Sequence, residues 1–440
     1  MNPEKRKISY MDQLFYYMFS EEESCTIIMN LTLRVPVNKV HLKKALNVTL
    51  LRFPNFQQTP ILDKEGFLYT VNNNQEADVY PYDPDPCEFG TYEVNGYMFR
   101  VMYMGKKIWI SAFHALCDGK GMYTFARTLL YYYFSFGGCR IENKDGFYLT
   151  LDTPEDRSEM GDPLEIYPEV NSSAVPLFKR NEIPVFYLPE EVNPVDKCQY
   201  FRRFQFILDR QKCLERAHVA ETSFDAWFNL QIAKLIHSLY DTQGRLVTEI
   251  GCVDVRRFYN SKTLQNMTWL FWVPFIEPLF KIPEKYAAMM VRDVLMKTQL
   301  QKQNFDADLY EIKRSRRENF NFPLTDLERL KMLRESLWDD PGFQSTFFTT
   351  DVGVLELGPD IDPFIEHADI FVSATADHPS FEIITFGNEI TVNLVQRHFG
   401  NKLALKVLGM FRDLGVLIKY QDCGRFQSDK IHIRELKREK

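Results

Sequence analysis

One stretch decides the fold of this 440-residue chain: Lys107-Ile-Trp-Ile-Ser-Ala-Phe-His-Ala-Leu-Cys-Asp-Gly-Lys-Gly121. Its first half alternates around Ile108, Ile110 and Ala112, which is the period of a buried strand. Apolar residues then recur at helical spacing from residue 122 to residue 133, which predicts a helix. A strand that ends where a helix is about to begin leaves a short loop at a sheet edge, where side chains face a cleft more readily than the core.

Three residues of this loop are the candidates for function: His114, Asp118 and Gly119. An imidazole, with an unperturbed pKa of about 6.5, is able to accept a proton at neutral pH, so His114 is a candidate general base. The alternative for His114 is a core histidine that binds backbone groups. The alternative for Asp118 is the N-cap of the following helix, which is compatible with a structural role. Gly119 would let the backbone turn closely beneath the histidine.

The stretch resembles the H-x-x-x-D-G signature of the acyltransferase superfamily that includes chloramphenicol acetyltransferase, plant acyl-CoA transferases, alcohol acetyltransferases and the condensation domains of peptide synthetases. Four further stretches are similar to elements of that family: Met11-Asp12 with residues 26–34, residues 42–54, Val253-Asp-Val-Arg-Arg257 with Asn266, and Thr350-Asp-Val-Gly-Val354. The resemblance spans nearly the whole chain. It implies an α/β (α+β) fold of two chloramphenicol-acetyltransferase-like lobes, each a mixed sheet covered by helices, with a tunnel between them.

The resemblance also implies roles for individual residues. His114 is the catalytic base, and Asp118 turns away from the acceptor and pairs with an arginine, for which we name Arg256. A buried aspartate needs such a partner because an unpaired buried charge is costly. Gly119 completes this structural set at the site. The substrate-binding residues are Asn266, Asp351 and Gly353, of which the last two belong to a turn that is mainly structural.

Two positions depart from the family pattern. Gly353 is followed by Val354 and Leu355, whereas most members have a D-F-G-W-G run or an asparagine before the late glycine motif. Phe113 stands where condensation domains usually carry a first histidine. The second departure favours an enzyme that uses free acyl-CoA over a synthetase domain.

Composition excludes several classes of protein. The net charge is −7, which gives no overall attraction to nucleic acid. Eight cysteines without C-x-x-C spacing argue against zinc and against a disulfide framework, which fits a reduced, cytoplasmic protein. No signal peptide is evident at the start, and the apolar run at 269–276 is far shorter than a transmembrane segment. His367, Asp369, Asp377 and His378 lack a metal-ligand spacing, so we predict solvated surface there and no metal site.

The order of elements predicts where the lobes divide. The first lobe contains strands at 26–34, 66–72, 96–104 and 107–113, with helices after residues 39 and 121. Prolines crowd residues 152–194, which predicts a crossover, and we assign residues 1–178 to the first lobe and 179–440 to the second. The predicted elements of the second lobe are strands at 200–208, 246–256, 347–355 and 415–420, a hairpin at 381–395, and helices at 224–240, 284–318, 325–336 and 401–413. The polar tail after residue 424 is expected to be frayed.

The function that these observations predict is acyl transfer, of an acetyl or short-chain group, from acyl-CoA to an alcohol or amine. An acyl thioester is already activated, so a base for the acceptor's proton suffices and no covalent intermediate is needed. No cofactor is expected beyond acyl-CoA as co-substrate, and a monomer is expected. Two alternatives stay open: a condensation-type domain that uses acyl carrier protein thioesters, and a non-catalytic binding protein with the same fold.

Overall fold

A computed structural model shows how the chain folds. It describes residues 5–9, 12–13, 15–16, 25–161, 184–189, 200–319, 325–326, 328, 345–373, 378–397 and 400–435. Strands and helices alternate along the chain, and the strands form mixed sheets, as the sequence predicts.

The described strands are numbered β1 to β18 in chain order. They are β1 Arg6–Lys7, β2 Thr26–Leu33, β3 Gln58–Leu62, β4 Leu68–Asn72, β5 Val79–Pro81, β6 Glu88–Phe89, β7 Phe99–Met104, β8 Lys107–Phe113, β9 Tyr200–Asp209, β10 Val247–Asp254, β11 Thr268–Phe275, β12 Phe347–Val354, β13 Ile365–Val372, β14 Ser380–Phe386, β15 Glu389–Gln396, β16 Leu417–Gln427, β17 Lys430–Ile431 and β18 Arg434–Glu435.

The described α-helices are numbered α1 to α8 in the same way. They are α1 Lys39–Leu50, α2 Gly119–Phe136, α3 Arg210–Val219, α4 Phe224–Leu239, α5 Arg256–Tyr259, α6 Glu284–Asp293, α7 Lys302–Asn319 and α8 Lys402–Asp413. A π-helical turn, Val294–Gln299, separates α6 from α7, so the single long helix predicted there is two helices. The helix predicted at 325–336 lies almost wholly outside the described residues. None of the described helices has the length and apolar character needed to cross a membrane.

The first lobe is a five-stranded sheet in the order β13-β2-β8-β7-β5, with α1 and α2 packed against it. Helix α1 begins at Asn38, whose side chain accepts hydrogen bonds from two backbone N–H groups of the first turn. Its apolar positions face the sheet together with those of α2, and Leu46 and Phe125 are fully buried between the two helices and the strands. A smaller four-stranded sheet, β1-β4-β3-β18, lies beside this core.

The second lobe is a seven-stranded sheet in the order β11-β10-β12-β14-β15-β9-β16. Helix α4 packs against it and is buried along most of its length, as its apolar residues on nearly all sides predict. Ser223 caps this helix through the backbone N–H of Ala226. The predicted hairpin is present as β14 and β15, which turn at Gly387 with a positive φ of 57°.

The last quarter of the chain is shared between both lobes. Strand β13 pairs with β2 in the first lobe's sheet, although the sequence assigns its residues to the second lobe. The pairing covers the edge of β2 that would otherwise expose unpaired backbone groups. Asp369 of β13 accepts hydrogen bonds from Asn30 of β2 at 2.7 Å and from Gln205 of β9 at 2.6 Å, so a buried carboxylate joins the two lobes. The predicted boundary at residue 178 lies outside the described residues.

The tail is ordered from residue 425 to residue 435, the end of its described part, which corrects the prediction that it frays after residue 424. Strand β16 continues to Gln427, and β17 and β18 then pair with β6 and β3 of the first lobe. The buried carboxylate of Asp429 holds this segment, since it accepts a hydrogen bond from Ser111 at 2.7 Å and pairs with Arg100 at 2.8 Å. The prediction of a frayed tail was wrong because the polar residues that suggested it belong to β16, an edge strand that is half exposed.

Candidate active site

The predicted strand, loop and helix are present around His114. Strand β8 ends at Phe113, a single 3-10 turn covers His114–Leu116, and α2 begins at Gly119. The φ of Gly119 lies outside the left-handed region, so the backbone conformation is not the reason for a glycine at this position. A Cβ atom there would lie 2.6 Å from Cγ1 of Val352, and the glycine therefore permits close packing of the second lobe's β12 against the start of α2.

Asp118 has both of the roles that the sequence leaves open. Its Oδ1 accepts a hydrogen bond from the N–H of Gly121 at 3.0 Å, which is an N-cap contact. Its two oxygens also accept hydrogen bonds from Arg256 at 2.8 and 3.0 Å, and Oδ2 accepts one from the N–H of Met267 at 2.9 Å. Asp118 is completely buried, so this bidentate pair is a buried ion pair that joins the two lobes.

Arg256 is fully engaged by its surroundings. Its Nε donates to the carbonyl of Thr263 at 2.8 Å, and NH1 also contacts Asp254 at 3.1 Å. Burial lowers the pKa of Arg256, but the charge of Asp118 more than offsets this and holds the pKa above its usual value. The guanidinium is thus permanently charged, and the loop after β8 is held by a fixed cation from the second lobe.

Asn266 determines which ring nitrogen of His114 carries the proton. The Nδ2 of Asn266 donates hydrogen bonds to Asp12 Oδ1 and to the backbone carbonyl of His114, each at 2.8 Å. Because neither of these groups donates, the amide nitrogen must face them and Oδ1 must face the imidazole. Oδ1 lies 3.0 Å from Nδ1 of His114, so Nδ1 is the donor. The neutral ring therefore has an unprotonated Nε2, which is the atom that a general base needs.

The environment of His114 keeps the imidazole neutral. The ring of Phe15 stacks on it at a centroid distance of 4.0 Å and an angle of 10°, and part of the histidine remains accessible. Burial lowers the pKa of His114 to about 4, against opposing contributions from its own carbonyl, Asp118 and Asn266. This shift from the unperturbed pKa of about 6.5 is not predictable from the sequence. In the described part of the chain, Nε2 has no hydrogen-bond partner.

The structure also shows the contacts of the remaining predicted site residues. Asn266 lies beside His114, is completely buried, and binds protein groups through its amide; its role in substrate binding stays a prediction. Asp351 accepts a hydrogen bond from the N–H of Gly353 at 2.7 Å, and its carboxyl group is hydrogen-bonded to that of Asp225 on α4. Gly353 has a positive φ of 83° in the bulge of β12. Val352, between these two residues, places its side chain against Gly119.

Two residues near His114, Asp12 and Phe15, were not predicted as site residues, although Asp12 belongs to a stretch that resembles the family. Asp12 accepts hydrogen bonds from Asn266 and, at 2.8 Å, from Gln265, and Phe15 covers the imidazole. Asp12 is buried. A lone aspartate among apolar residues near the start of the chain was the available signal, but its partners lie more than 250 residues away in sequence.

The structure also shows the surroundings of two of the residues that were predicted to be solvated surface. Asp369 is buried in its network with Asn30 and Gln205, and His378 is buried as well, which corrects the prediction of solvated surface. Asp377 lies outside the described residues. Among the described histidine, cysteine, aspartate and glutamate residues, no group of three is arranged to hold a metal ion.

A cavity of about 260 Å³ lies beside the loop of His114. Its wall includes Ala115 and Leu116 of the loop, Asp12 and Tyr16 of the N-terminal segment, and Gln265 of the second lobe. The cavity therefore lies where the two lobes meet next to the histidine. A continuous tunnel between the lobes stays a prediction.

The comparisons with known proteins rest on structure alone, because no protein-family model and no curated protein matches the sequence. TRI101 of F. sporotrichioides in complex with coenzyme A and T-2 is 11% identical, with a TM-score of 0.60 over 95% of this chain and 99% of that chain. TRI3 trichothecene 15-O-acetyltransferase of Fusarium sporotrichioides is 12% identical, with a TM-score of 0.55 over 93% and 94%.

A third similar structure is the epimerization domain from the third module of tyrocidine synthetase B. It is 11% identical, with a TM-score of 0.57 over 94% of this chain and 96% of that chain. At these identities the likeness establishes the fold. The chain has the two-lobed α/β fold of these structures, and a two-lobed α/β fold is what the sequence around His114 predicts.

Proposed function

We propose that this chain is an acyltransferase that moves an acyl group from acyl-CoA to an alcohol or amine, with His114 as the general base. The observation that supports it most is the orientation of Asn266, which makes Nδ1 of His114 the donor and leaves Nε2 unprotonated. With a pKa of about 4, the imidazole is neutral and able to accept a proton throughout the neutral pH range.

The reaction needs few groups. Nε2 of His114 takes the proton of the acceptor's hydroxyl or amine as the acceptor attacks the thioester carbonyl. The tetrahedral intermediate then collapses, the bond to sulfur breaks, and the imidazolium returns the proton to the departing CoA thiolate. Protonation of His114 is transient, and Asn266 holds Nδ1 throughout. The buried Asp118–Arg256 pair contributes by fixing the loop, since misplacement of a base by about 1 Å is costly to rate.

The similar structures support the choice of substrates. TRI101 was solved with coenzyme A and T-2, and TRI3 is described as a 15-O-acetyltransferase. Both descriptions concern those proteins. By analogy, acetyl-CoA is the donor we propose to test first, with a hydroxyl group as the first acceptor.

A second candidate function is a condensation-type reaction fed by a carrier protein. It is kept because one similar structure, although an epimerization domain, is part of a module of tyrocidine synthetase B. The side chain of Phe113, immediately before His114, is completely buried and packs edge-on against Tyr16 at 4.9 Å. The position that condensation domains usually fill with a first histidine is thus a core position in this chain, and we favour free acyl-CoA as the donor for this reason.

The test is release of free thiol from acetyl-CoA in the presence of a panel of alcohols and amines. His114→Ala should lower the rate of transfer by about 10²–10⁴-fold, with acetyl-CoA binding nearly unchanged. His41→Ala is the matched control, because His41 lies on α1 beside Tyr133, away from the loop. A His114→Ala protein that melts normally and transfers at the wild-type rate would rule out the proposed mechanism. Transfer from carrier-protein thioesters alone would favour the condensation-type reaction.

A further inference from the structure

Two residues near the start of the chain are tied to the imidazole of His114. The ring of Phe15 stacks on it at a centroid distance of 4.0 Å, which fixes the plane of the imidazole. The carboxylate of Asp12 is hydrogen-bonded to Asn266, the residue whose Oδ1 lies 3.0 Å from Nδ1 of His114. The N-terminal segment thus reaches the histidine directly through Phe15 and indirectly through Asp12.

Asp12 is held between the N-terminal segment and two adjacent residues of the second lobe. Its side chain is buried, with Oδ1 accepting a hydrogen bond from Nδ2 of Asn266 and Oδ2 accepting one from Nε2 of Gln265, each at 2.8 Å. On the other side, the backbone N–H of Asp12 donates to Oγ of Ser9 at 3.1 Å. Strand β1, which precedes Ser9, pairs with β4 and anchors the segment to the first lobe. The carboxylate therefore has a fixed position relative to both amides.

A carboxylate suits this position because two donors meet it. An ionised carboxylate only accepts hydrogen bonds, so Asp12 satisfies Asn266 and Gln265 together. An asparagine at the same position would have one oxygen and one NH2 group. It could accept from Gln265 while it donated to Asn266, and the amide of Asn266 could then turn over. The chemical type of Asp12, and not only its size, holds the Asn266 amide in one orientation.

The orientation of the Asn266 amide decides the tautomer of His114. If the amide turned over, its oxygen would face Asp12 and the backbone carbonyl of His114, and two hydrogen bonds would become contacts between acceptors. Its NH2 group would then face Nδ1 of the imidazole, which favours the tautomer with the proton on Nε2. In that tautomer Nε2 has no lone pair with which to take a proton from an acceptor.

We propose that Asp12 is a positioning residue of the active site, whose carboxylate orients the amide of Asn266 and thereby keeps the proton of His114 on Nδ1. Asp12 does not touch the reacting atoms and acts through Asn266 alone. The N-terminal segment is by this account a working part of the site, because it carries the group that selects the tautomer. The effect of Asp12 on catalysis rests on the proposed function, whereas its effect on the tautomer does not.

The experiment compares the wild-type chain with Asp12→Asn. Nitrogen NMR of isotopically labelled histidine reports the tautomer of His114, and acetyl transfer from acetyl-CoA gives kcat and KM. Asp12→Asn should show both tautomers, and kcat should fall in proportion to the fraction of His114 that is protonated on Nε2, with little change in KM for acetyl-CoA. The double variant Asp12→Asn/Gln265→Glu should restore the single tautomer and kcat, because the new carboxylate accepts from the asparagine NH2 and turns the asparagine oxygen toward Asn266.

Asp308→Asn is the matched control for the loss of a buried carboxylate. Asp308 is also buried, and it accepts a hydrogen bond from Nε1 of Trp269 at 2.9 Å, away from the loop of His114. This variant should leave the tautomer of His114 and kcat unchanged. A second tautomer in Asp308→Asn would overturn the proposal, because the effect would then follow from the loss of any buried carboxylate.

The other outcomes separate this inference from the proposed function. A single Nδ1 tautomer in Asp12→Asn, or both tautomers in Asp12→Asn/Gln265→Glu, would overturn the role of Asp12. If Asp12→Asn does not fold, the double variant decides the question by the same criterion. Two tautomers in Asp12→Asn with an unchanged kcat would uphold the control of the tautomer and count against His114 as the base. Absence of acetyl transfer in the wild-type chain would count against the proposed function alone, since the NMR measurement does not depend on turnover.

Discussion

Two groups of ionisable side chains in this molecule are built on opposite principles. The first, which we call the loop site, consists of His114, Asp118 and Arg256. The second, which we call the acid cluster, consists of Asp225, Glu249 and Asp351 of the second lobe. In the loop site the carboxylate has a permanent cation and backbone donors. In the described residues of the acid cluster no cation pairs with a carboxyl group, and the pKa values shift upward.

The protonated form of the carboxyl groups is favoured in the acid cluster, whereas Asp118 and Arg256 of the loop site are both charged. Glu249 is completely buried and accepts hydrogen bonds from Asn229 at 2.7 Å and from Thr349. Burial raises its pKa to about 8, so it is protonated at neutral pH. Burial and the charge of Asp225 raise the pKa of Asp351 as well. The comparison indicates that the chain fixes geometry with paired charges at the loop and tolerates protonated acids where the geometry of a reaction is not at stake.

The largest expected effect is that of breaking the ion pair of the loop site. Asp118→Ala leaves the guanidinium of Arg256 buried without its carboxylate, and the loss of one partner of a buried pair commonly costs about 3–5 kcal/mol. We expect a matching fall in the free energy of unfolding, measured by urea denaturation, together with lower activity. Lys262→Ala is the control, since Lys262 pairs with the exposed side chain of Asp156 and should matter far less. Equal effects of the two substitutions would contradict the account of the loop site.

The next largest effect is the pH dependence of stability that Glu249 of the acid cluster should cause. Because the folded-state pKa of Glu249 is about 8 and the unfolded value is about 4.3, its contribution to stability is lost as pH rises between these values, by at most about 1.4 kcal/mol per pH unit. Glu249→Gln removes this titration. Urea denaturation at pH 5 and at pH 8.5 should show the variant gaining stability relative to wild type as pH rises. A constant difference between the two proteins would mean that Glu249 is ionised in the folded state.

The smallest of the three effects separates positioning from folding. Asn266→Ala removes the hydrogen bonds of the amide to Nδ1 and to the carbonyl of His114, together with the one to Asp12. We expect kcat to fall about tenfold and the acid limb of its pH profile to move, with little change in KM for acetyl-CoA. Asn229→Ala is the matched control, because Asn229 is equally buried but binds Glu249 of the acid cluster. Asn229→Ala should lower the free energy of unfolding without changing the pH dependence of kcat. An unchanged pH profile in Asn266→Ala would assign Asn266 a structural role only.

The parts of the fold that the sequence predicts are those with local signals. Strand β8 and helix α2 follow from hydrophobic periodicity, and the hairpin of β14 and β15 follows from its glycine turn. Strand β3 was missed because Pro60 interrupts its pattern. Strand β13 was missed as a member of the first sheet because its partner β2 is more than 300 residues away in sequence. Pairing at such a distance leaves no local pattern to detect.

The features of the candidate site also divide into those that have a signal in the sequence and those that do not. His114 is predicted from its place between a strand and a helix, and the pairing of Asp118 with Arg256 is predicted from the resemblance to a known family. The tautomer and pKa of the histidine are not readable, since they depend on where Asn266, Asp12 and Phe15 meet in three dimensions.

Nitrogen NMR of isotopically labelled histidine, with His114→Ala to assign the resonances, tests the central claim most directly. The account predicts that His114 is a neutral imidazole with its proton on Nδ1, and that its spectrum stays constant as pH is lowered from 8 until it approaches about 4. Loss of the Asn266 contact in Asn266→Ala should allow both tautomers to appear. A proton on Nε2 in the wild-type protein, or a titration near the unperturbed value of about 6.5, would contradict the assignment of Nε2 as the base.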